Sequence, residues 1–172
     1  MLRTLREDLH NLAAALGGPG AEAPVGTALA QDSFPILVLW RMRCGARRLR
    51  IPLLNHLLRR VQTAVFGIEL GNDITLGRGV FFVHPVGIVV GGRAQVGDRV
   101  RFMGSNTVGT ARDEGWPTIE DDVVVGAGAR VLGSIRVGRG AVIGANAVVL
   151  TDVPAGSVVV GIPARVVPGP RG

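Results

Sequence analysis

From Ile119 to Val149 an aliphatic residue stands at every sixth position: Ile119, Val125, Val131, Val137, Ile143 and Val149. Four residues after each comes a second apolar residue, Val123, Ala129, Ile135, Ala141, Ala147 and Val153. Side chains on a strand alternate faces with period two, so an even repeat keeps one set pointing inward. A helix of 3.6 residues per turn would spread the same repeat around its whole surface. The chain therefore coils in short strands and tight turns. Hexapeptide repeats mark a parallel β-helix, in which one coil cannot bury its apolar edge alone and stacks on its neighbours; about four to five coils follow from the count.

The ruler begins earlier and breaks twice. Leu70, Leu76 and Phe82 share one register, and Val90, Val96, Phe102 and Val108 share a second, displaced by two residues that bracket His84. Between Val108 and Ile119 lie five residues more than a hexad allows, so Thr110 to Pro117 forms an extruded loop. Chemistry is expected at these two interruptions.

Before the repeat, Leu2, Leu5, Leu9, Leu12 and Leu16 recur at helical spacing and predict a short amphipathic helix ending at Gly17-Gly18. Gly17 to Gly26 reads as a flexible connection. A second helix is expected from Ser33 to Arg50, with Ser33 as its cap, and a third from Pro52 to about Ala64, with Leu53, Leu54, Leu57, Leu58 and Val61 on its apolar side. The organisation expected is a short α-helical region over residues 1–66, a β-helix over 67–167 and a tail over 168–172.

Composition narrows the classes. Glycine occurs 26 times in 172 residues and tyrosine not at all, as suits a solenoid that needs turns more than bulky fillers. Cys44 is alone, so no internal disulfide can form, and the cytoplasm is the expected compartment. The apolar stretch from Phe34 to Trp40 is far shorter than the ~18 residues that span a bilayer, and Arg41 and Arg43 end it. Arg6, Glu7, Asp8 and His10 interrupt any secretory h-region. No membrane association is expected. Arg41, Arg43, Arg47, Arg48, Arg50, Arg59 and Arg60 carry most of a net charge of +6. They read as a solvated helical face or as partners of an anionic ligand; no nucleic-acid motif accompanies them, so no nucleic-acid partner is expected.

The stretch from Leu76 to Gly91, LGRGVFFVHPVGIVVG, together with VGAGARVLG from Val125 to Gly133 and the closing Gly161-Ile162-Pro163-Ala164-Arg165, resembles the serine O-acetyltransferases of the hexapeptide-repeat acyltransferase superfamily. The resemblance covers roughly Pro52 to Val167. It implies a mainly β fold, a left-handed parallel β-helix, assembled as a homotrimer with acetyl-CoA as co-substrate in a groove between subunits. It also implies that His84 is the general base, taking the proton of an acceptor hydroxyl as that oxygen attacks the thioester. An alcohol is a poor nucleophile until its proton is accepted in the transition state, and imidazole is suited to accept it near neutral pH. His84 is the sole histidine of the repeat region, whereas His10 and His56 lie in the helices and read as structural.

A carboxylate that holds the second ring nitrogen fixes the tautomer of such a base. The resemblance places it at Glu69, and Asp73 is the competing candidate. Gly109 is the implied oxyanion position. Ala127, Gly128 and Ala129 are expected along the cofactor, with Arg165, and after it Arg130, at its phosphates, where a guanidinium fork suits phosphate oxygens. No metal is called for: a β-helix carbonic anhydrase needs three histidines at zinc, and the repeat region has one.

The acceptor side departs from the family. Val83 stands where the serine enzymes have an aspartate for the acceptor's ammonium, and Gly115-Trp116-Pro117 replaces their Arg-His-Pro. A pocket built for a zwitterion loses heavily without its counter-charges. Trp116 is open to three roles, stacking on a sugar ring, meeting an apolar acceptor or pinning the loop, and Asp113 and Glu114 offer a replacement ammonium contact. The expected function is acetyl transfer to a small serine-like hydroxyl compound. Acetylation of a sugar, polysaccharide or natural-product hydroxyl, or a non-catalytic β-helix scaffold, are the alternatives. With a short helical part and a tail reading Pro168-Gly169-Pro170-Arg171-Gly172, no complex with a cysteine-synthesis partner is expected.

Overall fold

A computed structural model describes residues 2–17, 21–112 and 115–168. Asp113 and Glu114, and the tail from Gly169 on, lie outside the described residues. Four helices come first, α1 (Leu2–Gly17), α2 (Val25–Leu29), α3 (Ser33–Arg48) and α4 (Pro52–Phe66). Fifteen short strands follow: β1 (Glu69–Leu70), β2 (Thr75–Leu76), β3 (Phe81–Phe82), β4 (Val89–Val90), β5 (Gln95–Val96), β6 (Arg101–Phe102), β7 (Thr107–Gly109), β8 (Thr118–Ile119), β9 (Val124–Val125), β10 (Arg130–Leu132), β11 (Arg136–Val137), β12 (Val142–Ile143), β13 (Val148–Val149), β14 (Val158–Val160) and β15 (Arg165–Val167).

The strands stack into three parallel sheets, β1-β4-β7-β10-β13, β2-β5-β8-β11 and β3-β6-β9-β12-β14, every third strand up to β13 and then β14 on β12, the walls of a left-handed β-helix. β15 closes the last sheet by folding back antiparallel on β14, a reversal that the repeat did not announce. Every hexad aliphatic from Leu70 to Val149 is buried, and the rings of Phe82 and Phe102 stack across two coils with centroids 5.6 Å apart.

Coil lengths carry the two interruptions. Val89 pairs with Thr107 and Arg130 with Val148, both 18 residues on, but Glu69 pairs with Val89 after 20 and Thr107 with Arg130 after 23. The extra residues are extruded at corners, which leaves the inward register intact. One corner presents His84 and the other is the loop of Trp116.

The helices dock on the first coil, and several expectations change there. Ser33 does not cap α3; its hydroxyl accepts from the Phe82 N–H and donates to the Phe82 carbonyl, both at 2.9 Å, which pins the helix start to β3. The connection over Gly17 to Gly26 already holds the start of α2. Four of the arginines read as a solvated or ligand-seeking face have internal partners. Arg41 pairs with buried Asp8 at 3.2 Å and donates to the carbonyls of Leu76 and Gly77; Arg47 pairs with Asp73 and Arg59 with Glu69. Arg43 is fully buried, 5.1 Å over the Trp40 ring, and bonds Gln62 and Asn72. Burial, with repulsion from Arg59, pushes it down to about 10, so it stays charged at neutral pH.

α4 starts with Pro52 in its first turn and stops at Gly67 in the left-handed conformation. Its apolar side does not face inward as a whole. Leu58 is buried, whereas Leu53, Leu57, Val61 and Val65, four apart, form an exposed stripe. Among the described residues no helix is long and apolar enough to cross a membrane.

Candidate functional site

His84 sits two residues beyond the end of β3, at the corner made by the two extra residues. Pro85 is buried beneath it and Gly87, at φ +76°, turns the chain back, its N–H donating to the Gly67 carbonyl at 2.9 Å. The corner is thereby tied to the end of α4 while the imidazole side remains exposed. Gly104 of the next coil passes directly below, and a methyl there would lie 3.1 Å from the Cβ and carbonyl oxygen of His84. Val83, half-buried, packs on the core and donates its N–H to the Phe102 carbonyl at 2.9 Å.

Glu69 opens the first strand, in register with Val89, and its N–H donates to the Ile88 carbonyl at 2.9 Å. Its Oε1 accepts from Arg59 at 2.5 Å. His56, Arg59, Arg60, Thr63, Ala64 and Glu69 line a cavity of about 510 Å³ between α4 and the sheet. Asp73, the rival carboxylate, is exposed and taken by Arg47 at 2.7 Å. Neither carboxylate is bonded to His84.

Gly109 ends β7 opposite Leu132, and nothing lies within 4 Å of where a side chain would stand. Its open face looks out beside the loop. The hydroxyl of Thr110, the next residue, is buried without a partner. The half-buried ring of Trp116 lies against Gly92, so closely that a methyl on Gly92 would collide with it. The ammonium contact expected of Asp113 and Glu114 lies outside the described residues.

The expected cofactor edge is only partly outward. Ala127 is exposed and Gly128 half-buried, but Ala129 turns its methyl into the core, so its side chain faces no ligand. Arg130, expected at a phosphate, is folded back here on the carbonyls of Ser105, Gly128 and Ala129. Arg165 is exposed, and among the described residues its side chain bonds only the neighbouring Ala164 carbonyl. Beside the loop, Arg112, Leu132, Gly133, Ser134, Ile135 and Leu150 contribute to a groove of about 380 Å³ whose lining is mixed polar and apolar. Arg112 went unremarked in the sequence because it lies inside the loop rather than on the ruler. Among the described residues no three of His, Cys, Asp and Glu gather to hold a metal ion.

Residues 117–151 match the family model described as bacterial transferase hexapeptide (six repeats). A serine acetyltransferase of Bacillus subtilis is 37% identical over 168 residues, covering 96% of this chain and 76% of that protein. The chain belongs to the serine acetyltransferase family. The serine acetyltransferase of Synechococcus elongatus is 39% identical over 152 residues, and there the match spans 87% of this chain but 62% of the longer relative. Among solved structures, a serine acetyltransferase in complex with CoA superposes with a TM-score of 0.84 at 28% identity, covering 96% of this chain and 70% of that one. Soybean serine acetyltransferase complexed with serine gives 0.83 at 32% identity, with the same coverage. The serine acetyltransferase relationship thus spans the helices as well as the coils, and includes the corner that bears His84.

Proposed function

We propose that this protein moves the acetyl group of acetyl-CoA to the hydroxyl of serine or a serine-like small acceptor, with His84 as general base. The observation that carries the reading is the exposed imidazole at the one corner where the first coil gains two residues, in a chain whose relatives are named serine acetyltransferases.

The acceptor oxygen forms the new bond to the acetyl carbon, and the thioester C–S bond breaks. The acceptor's proton passes to the His84 imidazole and from there to the departing thiolate, so the base is restored. A positioned base of this kind supplies about 10²- to 10⁴-fold in rate. Glu69 is the carboxylate proposed to orient the ring; Arg59 engages its Oε1 and leaves Oε2 for the imidazole. Gly109 is the proposed oxyanion position, since its open face lets the acyl oxygen approach the backbone.

The residues present suit a CoA thioester. The slot past Leu132, Gly133 and Leu150 fits a slim amide-bearing arm, and Arg112 and Arg165 offer guanidinium forks for phosphates. Acetyl-CoA supplies an activated acyl carbon; the chain supplies the base, the wall and the cations. The helical region over 1–66, the β-helix over 67–167 and the tail over 168–172 are the proposed divisions. The exposed stripe of Leu53, Leu57, Val61 and Val65 supports assembly as a homotrimer, because large apolar stripes on a helix seldom face water.

The test is thiol release from acetyl-CoA with L-serine, other small hydroxy amino acids and sugar acceptors. Turnover with L-serine or a close analogue is expected. Turnover confined to sugars would overturn the acceptor assignment, and no turnover or CoA binding with any acceptor would overturn the enzyme reading.

A further inference from the structure

Asn106 breaks the apolar ruler from inside the coil. It stands four residues after Phe102, at the position filled by Ala94, Val100, Val123, Ala129, Ala141 and Ala147 in other turns. Its side chain is fully buried. A carboxamide in that place is costly unless its polar ends are bonded. Both ends are: Oδ1 accepts from the Gly104 N–H at 3.1 Å, and Nδ2 donates to the Gly126 carbonyl at 2.7 Å.

Those two partners belong to different corners. Gly104, at φ +138°, runs beneath the backbone of His84, and its carbonyl accepts from the Gly128 N–H at 2.9 Å. Gly126 to Gly128 form the corner along the expected acetyl-donor edge. One amide therefore joins the turn under the base to the turn beside the donor. Glycine reaches such an angle without strain but also leaves it freely, so the bond from its N–H to Asn106 is what fixes the turn. A valine at 106 would fill the core as valine does elsewhere in the repeat, yet leave the Gly104 N–H without its acceptor.

We propose that Asn106 is a positioning residue for acetyl transfer: by holding Gly104 it sets the place of His84 relative to the Gly126–Gly128 corner. The inference rests on His84 being the base. Because a misplacement of about 1 Å can lower a rate 10²-fold, a small release at Gly104 is enough to be felt in kcat.

The test is a double-mutant cycle of Asn106→Val and His84→Ala, read by thiol release, with Gly104→Ala as a second way to press on the same backbone. Asn106→Val is expected to melt cooperatively and to lose about tenfold or more in kcat, with a smaller change in KM for acetyl-CoA. On the His84→Ala background neither Asn106→Val nor Gly104→Ala should lower the residual rate further, because a residue acting through the base has nothing left to act on. An unchanged kcat in folded Asn106→Val, or the same fractional loss with and without His84, overturns the proposal. Should Asn106→Val not fold, Gly104→Ala decides by the same two criteria. If His84→Ala alone is as active as the parent, the base assignment fails and takes this inference with it; a dead His84→Ala beside a fully active Asn106→Val sinks the inference alone.

Discussion

Gly104 lies against His84 so closely that a single added methyl would stand 3.1 Å from both the Cβ and the carbonyl oxygen of the histidine. Two strains would meet in Gly104→Ala, the crowding and a backbone angle of +138° that a side chain rarely adopts. We expect it to cost about 1–3 kcal/mol of stability, measured by urea denaturation at neutral pH. A variant as stable as the parent would mean that this corner has slack.

Trp116 rests on Gly92, itself at φ +62°, and we expect this contact to pin the long loop. Trp116→Ala should free the segment from Thr110 to Pro117, raising its rate of limited proteolysis severalfold, while thermal stability falls modestly because the ring is only half-buried. Gly92→Ala should do the same from the other side. Unchanged cleavage in both variants would show that the ring does not hold the loop.

The exposed stripe of α4 predicts assembly. Leu53 and Leu57 are 78% and 57% exposed in the single chain. Light scattering on a sizing column should give three chain masses for the parent and one for Leu57→Glu. A monomeric parent would remove the homotrimer.

Acid should loosen the outer ladder of ion pairs. Arg99 donates to both oxygens of Asp122, at 2.6 and 2.8 Å, and holds that carboxyl below its usual 3.8; Arg136 holds Glu120 below its usual 4.5. A carboxylate depressed in the folded state adds stability above its unfolded value and gives it up as pH falls through the folded one. Stability should therefore be level from neutral pH down to about 5 and decline below about 4. Asp122→Asn should flatten part of that decline; an identical acid limb would contradict the assignment.

The ruler made the coils legible because burial along a β-helix repeats on one face, and every sixth-position apolar residue of the ruler from Leu70 to Val149 is buried. Its breaks located His84 and the loop for the same reason: extra residues must leave the register at a corner. What stayed hidden depends on contacts distant in sequence. Nothing local says that Ser33 will bond Phe82, that Arg43 will be buried among Gln62, Asn72 and Trp40, or that Arg130 will fold onto three carbonyls. The apolar side of α4 was legible as apolar, but spacing alone does not tell an inward face from one that waits for a neighbour. Asn106 went unremarked in the sequence, because its meaning required seeing that Gly104 and Gly126 stand at its two ends.

The role proposed for His84 is to accept the acceptor's proton. The most direct measurement is the rate of thiol release from acetyl-CoA in the presence of acceptor, for the parent and for His84→Ala, with folding of both checked by thermal melting. His84 is exposed at a corner, so the variant should melt with the parent. Its rate should fall by about a hundredfold or more. A His84→Ala protein that turns over at the parent's rate would contradict the account.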